Sequence, residues 1–313
     1  MTGEAFDVAY TWVDDRWPGY LDELRAHAHT PHDTNPNRTR DNLQLLRYSL
    51  RSLALHAPWV RNVHLFTRRP QLPPWLDTRH PRLRITHHDE VMEPSLLPTF
   101  SSFAIVLHLH RLPGISRRFA YFEDDMLLGA RVVPGDFMDG EGRLRIYPRL
   151  ARAPREARVG DSPWTAALAG ANRLLDERFG RAHRWASHFP LAVEVRLWEE
   201  MLAQWPEALG RTRADRFRSP SDVAPEFLYL HYARARDRAS AASLVESYRQ
   251  CFYFPLENRL AQMRLQRAAA ERLQPKFITM NDNFGEGVEA RVEGYMRALL
   301  ERWFPEPSPF ERS

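Results

Sequence analysis

The chain opens on an apolar-rich run, Phe6-Asp7-Val8-Ala9-Tyr10-Thr11-Trp12-Val13, which predicts a strand. A polar, turn-rich stretch from His29 to Arg40 reads as a long loop, of a length that is often functional in compact domains. Behind Asp41, a residue able to cap a helix, Leu43, Leu46, Leu50 and Leu53 recur at helical spacing and predict a helix over 42–56. Strands at 63–67 and 83–86, a helix over 102–112 and a buried-looking strand at 119–122 continue the alternation. Strand and helix in turn predict an α/β fold with a mainly parallel sheet and helices on both faces. The middle third is more helical, over 163–178, 194–204 and 221–234, with Pro163 at a first helical position behind Ser162. Residues 276–280 predict one more strand, returning to the sheet. A final helix carries Val288, Val292, Tyr295, Met296, Leu299, Leu300 and Trp303 on one apolar face.

Composition narrows the function classes. Of 313 residues, 43% are hydrophobic and 27% charged, an ordinary globular balance that excludes disorder as the main state. Lys+Arg is 44 against Asp+Glu 40, a net charge of +4, and Lys276 is the single lysine. The arginines are interspersed with acids rather than clustered, so no nucleic-acid partner is expected. The lone Cys251 excludes an intrachain disulfide framework and a cysteine-based zinc site. No apolar run reaches the roughly 18 residues of a membrane span. The N-terminal residues 1–7 lack the basic start and apolar core of a signal peptide. A cytoplasmic setting is expected, with a membrane-peripheral placement through partners left open.

Three predicted strands end in acid-rich turns: Asp14-Asp15, Glu123-Asp124-Asp125 and Asn281-Asp282-Asn283. Ligands of open α/β sheets bind at the carboxyl ends of the strands, so these groups would converge if the strands are parallel neighbours. Converging carboxylates repel unless a cation neutralises them, and an all-oxygen set suits Mg²⁺ or Mn²⁺ completed by substrate phosphates. The alternative for each acidic turn is a turn former or helix cap, and for Asn281-Asp282-Asn283 an Asx turn. There is no glycine-rich phosphate loop, so phosphates would fall to arginines: Arg38, Arg40, Arg47, Arg51 and Arg218. Arg47 and Arg51, four apart, make either a phosphate clamp or a solvated helix face. His108 and His110 point about 200° apart on a helix and cannot share a metal. His188 is a lone imidazole, structural or catalytic.

The chain resembles the Stealth family of sugar-phosphate transferases. The likeness lies in four ordered blocks: Asp7 to Asp14; Arg40-Asp41-Asn42, Leu46 to Ser52, Ala57 to Arg61, Leu97 to Ser102 and His108 to Arg111, running on to Phe122-Glu123-Asp124-Asp125; His188-Phe189-Pro190, Arg218-Ser219 and Tyr229 to Tyr232; and Asn281-Asp282-Asn283 with Trp303 to Glu311. It implies a GT-A-like, Rossmann-type sheet with a helical insertion in a single catalytic domain over 1–313. A nucleotide-sugar half would span 1–150, an acceptor-side insertion 151–270, and a returning strand with the last helix 271–313. It implies a divalent cation, a UDP-sugar donor and a sugar or glycan acceptor. Asp124 and Asp125 take the place of the family's acidic pair, His188 of its essential histidine and Arg218 of its third-block arginine. Two positions depart from the pattern: Glu123 stands where Asn is usual, and Val106 where many members carry Glu.

These residues carry the expected roles. Asp124 and Asp125 hold the metal, with Asp282 a third ligand. His188 is the general base. Arg218 and Arg40 grip phosphate oxygens, Trp12 and Asp14 meet the nucleotide, and Asp41, Asn42, Arg47, His110 and Asn281 complete the substrate site. The rival reaction is ordinary glycosyl transfer, with release of UDP in place of UMP.

Overall fold

The computed structural model describes residues 5–180 and 183–312; residues 1–4, on which the leader reading partly rests, lie outside that range. Four strands, β1 (Phe6–Trp12), β2 (Val63–Thr67), β3 (Leu83–His87) and β4 (Arg118–Glu123), pair in parallel in the order β3-β2-β1-β4. The strand Leu191–Glu194 closes the β4 edge antiparallel. β1 and β4 are buried along nearly their whole length, which is why they read as apolar runs without strict alternation. The α/β sheet is therefore mainly parallel, as expected. From β1 the chain winds outward through β2 and β3, then returns to the opposite side of β1 as β4. The strand order thus reverses between β1 and β4, the place where open α/β sheets form their ligand crevice.

The last strand does not return to this sheet. Phe277–Asp282 pairs in parallel with Cys251–Leu256 and antiparallel with β5 (Met126–Leu128), making a second, three-stranded sheet. The physical reason lies in the neighbours of β4. One flank is taken by β1 and the other by Leu191–Glu194, so β4 has no free edge. The chain turns at Asp124-Asp125 and leaves as β5, which recruits the late strands. The acidic turn is consequently the junction of the two sheets.

Capping accounts for several boundaries. Ser162 accepts from the Thr165 amide (3.2 Å) ahead of Pro163, and the helix Pro163–Phe179 ends at Gly180, whose φ of 65° is left-handed. The helix expected over 102–112 stops at Val106 and resumes as a 3₁₀ turn, Leu109–Arg111. There the His108 ring donates from Nδ1 to the Ala104 carbonyl (2.8 Å), while the His108 amide donates to Ile105 O instead (3.0 Å), so a side chain competes for the α-helical acceptor. Leu46, Leu50 and Leu53 share one core with the main sheet and with Leu168, Trp198 and Tyr229 of the middle third. A second core joins Leu127, Phe254 and Met280 of the smaller sheet to Met296, Leu299 and Leu300 of the final helix. Among the described residues no helix is long and apolar enough to cross a membrane.

Candidate active site

The carboxyl ends of β1 and β4 open into a cavity of about 940 Å³. Trp12, the last residue of β1, donates its indole N–H to Asp41 Oδ2 (3.2 Å), and the Leu45 amide donates to Asp41 Oδ1 (2.9 Å). Asp41 thus holds the first amide of the helix Leu45–His56, although the N-cap position itself is Gln44, while lining the cavity. Burial pushes its carboxyl up to about 6 despite both hydrogen bonds. Glu123 ends β4, and the turn that follows presents Asp124 and Asp125 to the same space. The turn is braced from the second sheet, where the Met280 amide donates to Asp125 O (2.9 Å).

Crowding shows in the acidities. Burial, followed by the charges of Asp41, Asp125 and Glu123, drives Asp124 well above the usual carboxylate range. Burial and the Glu123 charge bring Asp125 to about 7, and the same two causes raise Glu226 to about 7. Asp125 Oδ1 is buried without a hydrogen-bond partner, an expensive arrangement for a carboxylate oxygen. Among the described residues no three His, Cys, Asp or Glu form a ready-made metal cluster. An unpartnered carboxylate oxygen beside a second acid fits a hard divalent cation that takes one or two protein carboxylates and finishes its shell on substrate phosphates.

Glu123 is spent elsewhere. Its Oε1 lies 3.0 Å from His188 Nε2. Burial opposes both charges, but the pair outweighs it: Glu123 is held below its usual range and His188 is raised to about 9. Glu123 is thus the partner of the imidazole. The backbone of His188 is pinned as well, since Thr279 Oγ1 donates to its carbonyl (2.9 Å). Arg218 lies across the same cavity, its guanidinium over the Phe103 ring at 4.5 Å and its Nε donating to Ser102 Oγ (3.0 Å). Among the described residues it has no carboxylate within ion-pair distance, so its charge is available to an anion.

The structure brings together Trp12, Arg40, Asp41, Asn42, Asp124, Asp125, His188, Arg218, Asn281 and Asp282. Four expected residues lie elsewhere. Asp14 is gripped by Arg16 through Nε (3.1 Å) and Nη2 (2.9 Å) and does not line the cavity. His110 sits outside it in the 3₁₀ turn. Arg47 and Arg51 are neither clamp nor solvated face. Arg47 Nε meets Glu311 at 2.5 Å, and buried Arg51 bonds both Glu311 (2.8 Å) and Glu301 (2.9 Å), tying the C-terminal tail to the helix Leu45–His56. Arg40 is only partly free, with Nε on Asp15 (3.0 Å) and Nη1 on Glu286 O (2.6 Å). Asp282 forms the Asx turn: Oδ1 accepts from the Phe284 amide (2.9 Å) and Oδ2 from Asn42 (2.7 Å), so each of its oxygens already has a partner. The side chain of Arg38 lies outside the described residues. Glu226, Arg149, Trp164 and Trp185 line the cavity too; their sequence neighbourhoods carry no local sign of it.

Residues 38–146 match conserved region 2 of Stealth proteins and residues 187–235 match conserved region 3. The first span contains Asp124 and Asp125, the second His188 and Arg218. The chain is 38% identical over 312 residues to the exopolysaccharide phosphotransferase SCO6023 of Streptomyces coelicolor, covering 98% of this chain and 52% of that one. It is 29% identical over 317 residues to the capsular polysaccharide phosphotransferase SacB of Neisseria meningitidis serogroup A, covering 98% and 57%. The chain spans about half the length of the curated relatives it matches. Among solved structures, the galactosyltransferase LgtC in complex with donor and acceptor sugar analogues superposes with a TM-score of 0.44 at 11% identity over 96% of both chains. The bifunctional glycosyltransferase WbbM gives 0.45 at 12% identity over 98% of this chain and 53% of that one.

A carboxyl raised on folding destabilises the native state as pH climbs from its unfolded value through its folded one. For Asp125 that window runs from 3.8 to about 7. Without added metal, Asp125→Asn is therefore expected to melt above the parent at pH 8, with the gap closing as pH falls to 4. Thermal unfolding followed by circular dichroism reads this directly; a variant that melts below the parent at pH 8 contradicts the repulsion.

Proposed function

The chain belongs to the Stealth family, and from that premise we propose that it transfers a sugar-1-phosphate from a UDP-sugar to a hydroxyl of an acceptor sugar, releasing UMP and leaving a phosphodiester. The observation that carries this reading is the meeting of an acidic pair, an unpaired arginine and a carboxylate-held imidazole in one crevice at the sheet's switch point. Phosphoryl transfer asks a protein mainly for positioning and for charge opposite the moving phosphoryl, and this crevice offers both.

The acceptor oxygen attacks the β-phosphorus. The bond from that phosphorus to the oxygen bridging the two phosphates breaks, and the electron pair leaves with UMP. The anomeric carbon–oxygen bond stays intact. His188 takes the hydroxyl proton and later yields it to water, while Glu123, at 3.0 Å from Nε2, fixes the ring and balances its charge. Arg218, unpaired and resting on Phe103, meets the non-bridging oxygens of the transferred phosphate. Asp41, buttressed by Trp12 and Leu45, lines the same crevice as the acidic turn and adds its charge to that of Asp124. Mg²⁺ or Mn²⁺ held by Asp124 and Asp125 would supply the charge neutralisation that a diphosphate needs in this acidic crevice.

The reaction is tested by the nucleotide that accumulates when UDP-sugars are screened with sugar acceptors: UMP in step with a phosphate-linked sugar pair is expected. UDP would establish ordinary glycosyl transfer instead. The base assignment has its own measurement. His188→Ala should lower turnover by about 10²–10⁴ with the fold intact by circular dichroism. Because the Glu123 charge raises His188, the basic form grows as pH rises through about 9 in the free enzyme. In Glu123→Gln the acidic limb of kcat/KM should move down toward the imidazole's ordinary 6.5. A limb that stays in place, or near-normal turnover in His188→Ala, removes the imidazole from the proton transfer.

A further inference from the structure

The wall of the cavity beyond His188 is chemically different from the acidic end. Trp164, the second residue of the helix Pro163–Phe179, and Trp185, on the short strand Arg184–Ala186, form a near-perpendicular indole pair with ring centroids 5.2 Å apart at 71°. Both line the cavity, and Trp164 keeps 37% of its surface exposed. The Trp185 indole N–H is buried without a partner, a donor that costs stability unless a ligand satisfies it. Arg149 lies on the facing strand Pro148–Arg152, one residue from the Pro148–Ala186 pair, and lines the same space. Its guanidinium lies 4.6 Å from the Tyr248 ring centroid, and Nη2 donates to Cys251 O (3.3 Å). Among the described residues no carboxylate stands within ion-pair distance of it. Two indoles with an open face, an unsatisfied N–H and an uncompensated cation therefore share one wall, and three residues along the chain from Trp185 stands His188.

We propose that Trp164, Trp185 and Arg149 form the acceptor subsite, and that the acceptor they select is an anionic glycan. A pyranose lays its apolar C–H face on an indole, as apolar surfaces do on aromatic rings. The Trp185 N–H bonds a ring hydroxyl, and a phosphate or carboxylate substituent on the glycan meets Arg149. This assignment rests on the transferase reading, because it names the acceptor of that reaction and sets its hydroxyl beside His188. The donor's diphosphate belongs at the opposite end, with Arg218 and the acidic turn.

The test measures binding with no UDP-sugar present, so that it stands apart from the reaction. Three disaccharides are titrated by calorimetry: one neutral, one carrying a phosphodiester and one ending in a hexuronate. At least one anionic form should bind about tenfold tighter than the neutral one; the phosphodiester leading identifies phosphate as the anion, the hexuronate leading identifies carboxylate. Trp164→Ala should weaken all three by roughly tenfold, with Trp164→Tyr restoring most of the affinity. Arg149→Ala should bring the anionic disaccharides down to the neutral one. Equal binding of all three to the parent, or affinities untouched by Trp164→Ala and Arg149→Ala, overturns the subsite. Failure to detect UMP while these binding differences hold would sink the reaction and leave the subsite standing. UMP release with a KM for acceptor indifferent to both variants would do the reverse.

Discussion

Like charge held together in a buried place is the constraint around which this molecule is built. The strand order reverses between β1 and β4, and at that point the chain puts Glu123, Asp124 and Asp125 in succession, with Asp41 lining the same crevice. Left alone, such a group favours protonation, as the upward displacement of Asp41, Asp124 and Asp125 records. Much of the surrounding structure keeps these acids in place against their repulsion. The second sheet grips the Asp125 carbonyl through Met280. Trp12 and Leu45 hold both oxygens of Asp41. His188 absorbs the charge of Glu123. A protein that maintains an unfavourable arrangement of this kind is giving up stability for function.

The more distant parts serve the same end by rigidity. The tail is tied to the helix Leu45–His56 through Glu311 on Arg47 and Arg51, and the final helix through Glu301 on Arg51; the helix they grip begins four residues after Asp41. The second core, around Met280, Leu127 and the final helix, holds the strand that follows the acidic turn. The helical middle third contributes His188, Arg218, Glu226 and the indole pair to the lining. The crevice is thereby assembled from segments far apart along the chain, as the proposed two-substrate reaction would require.

Local patterns made the parallel strands, the capped helix at Ser162-Pro163 and the acidic turn after β4 legible in the sequence, because each depends on neighbours within a few residues. The meeting of Asp124, Asp125, His188 and Arg218 was legible through the ordered blocks of the family resemblance. What stayed hidden depends on partners far along the chain. Arg47 reads as a phosphate ligand until Glu311 is found 264 residues away. Asp14 is taken by Arg16, a pairing that spacing alone does not favour over a ligand role. The strand at 277–282 reads as a returning member of the main sheet until Leu191–Glu194 is seen to occupy the edge of β4. Trp164, Trp185 and Arg149 have no local pattern; only the folded chain puts them in one wall.

In the proposed reaction the acidic turn would be completed by a divalent cation shared with a nucleotide diphosphate. Mn²⁺ binding followed by electron paramagnetic resonance, with and without UDP, measures that most directly. The account predicts weak Mn²⁺ binding to the protein alone and binding tighter by about tenfold or more once UDP is present, with the gain lost in the double substitution Asp124→Asn and Asp125→Asn. Mn²⁺ affinity indifferent to UDP, or a gain that survives the loss of both carboxylates, would contradict it.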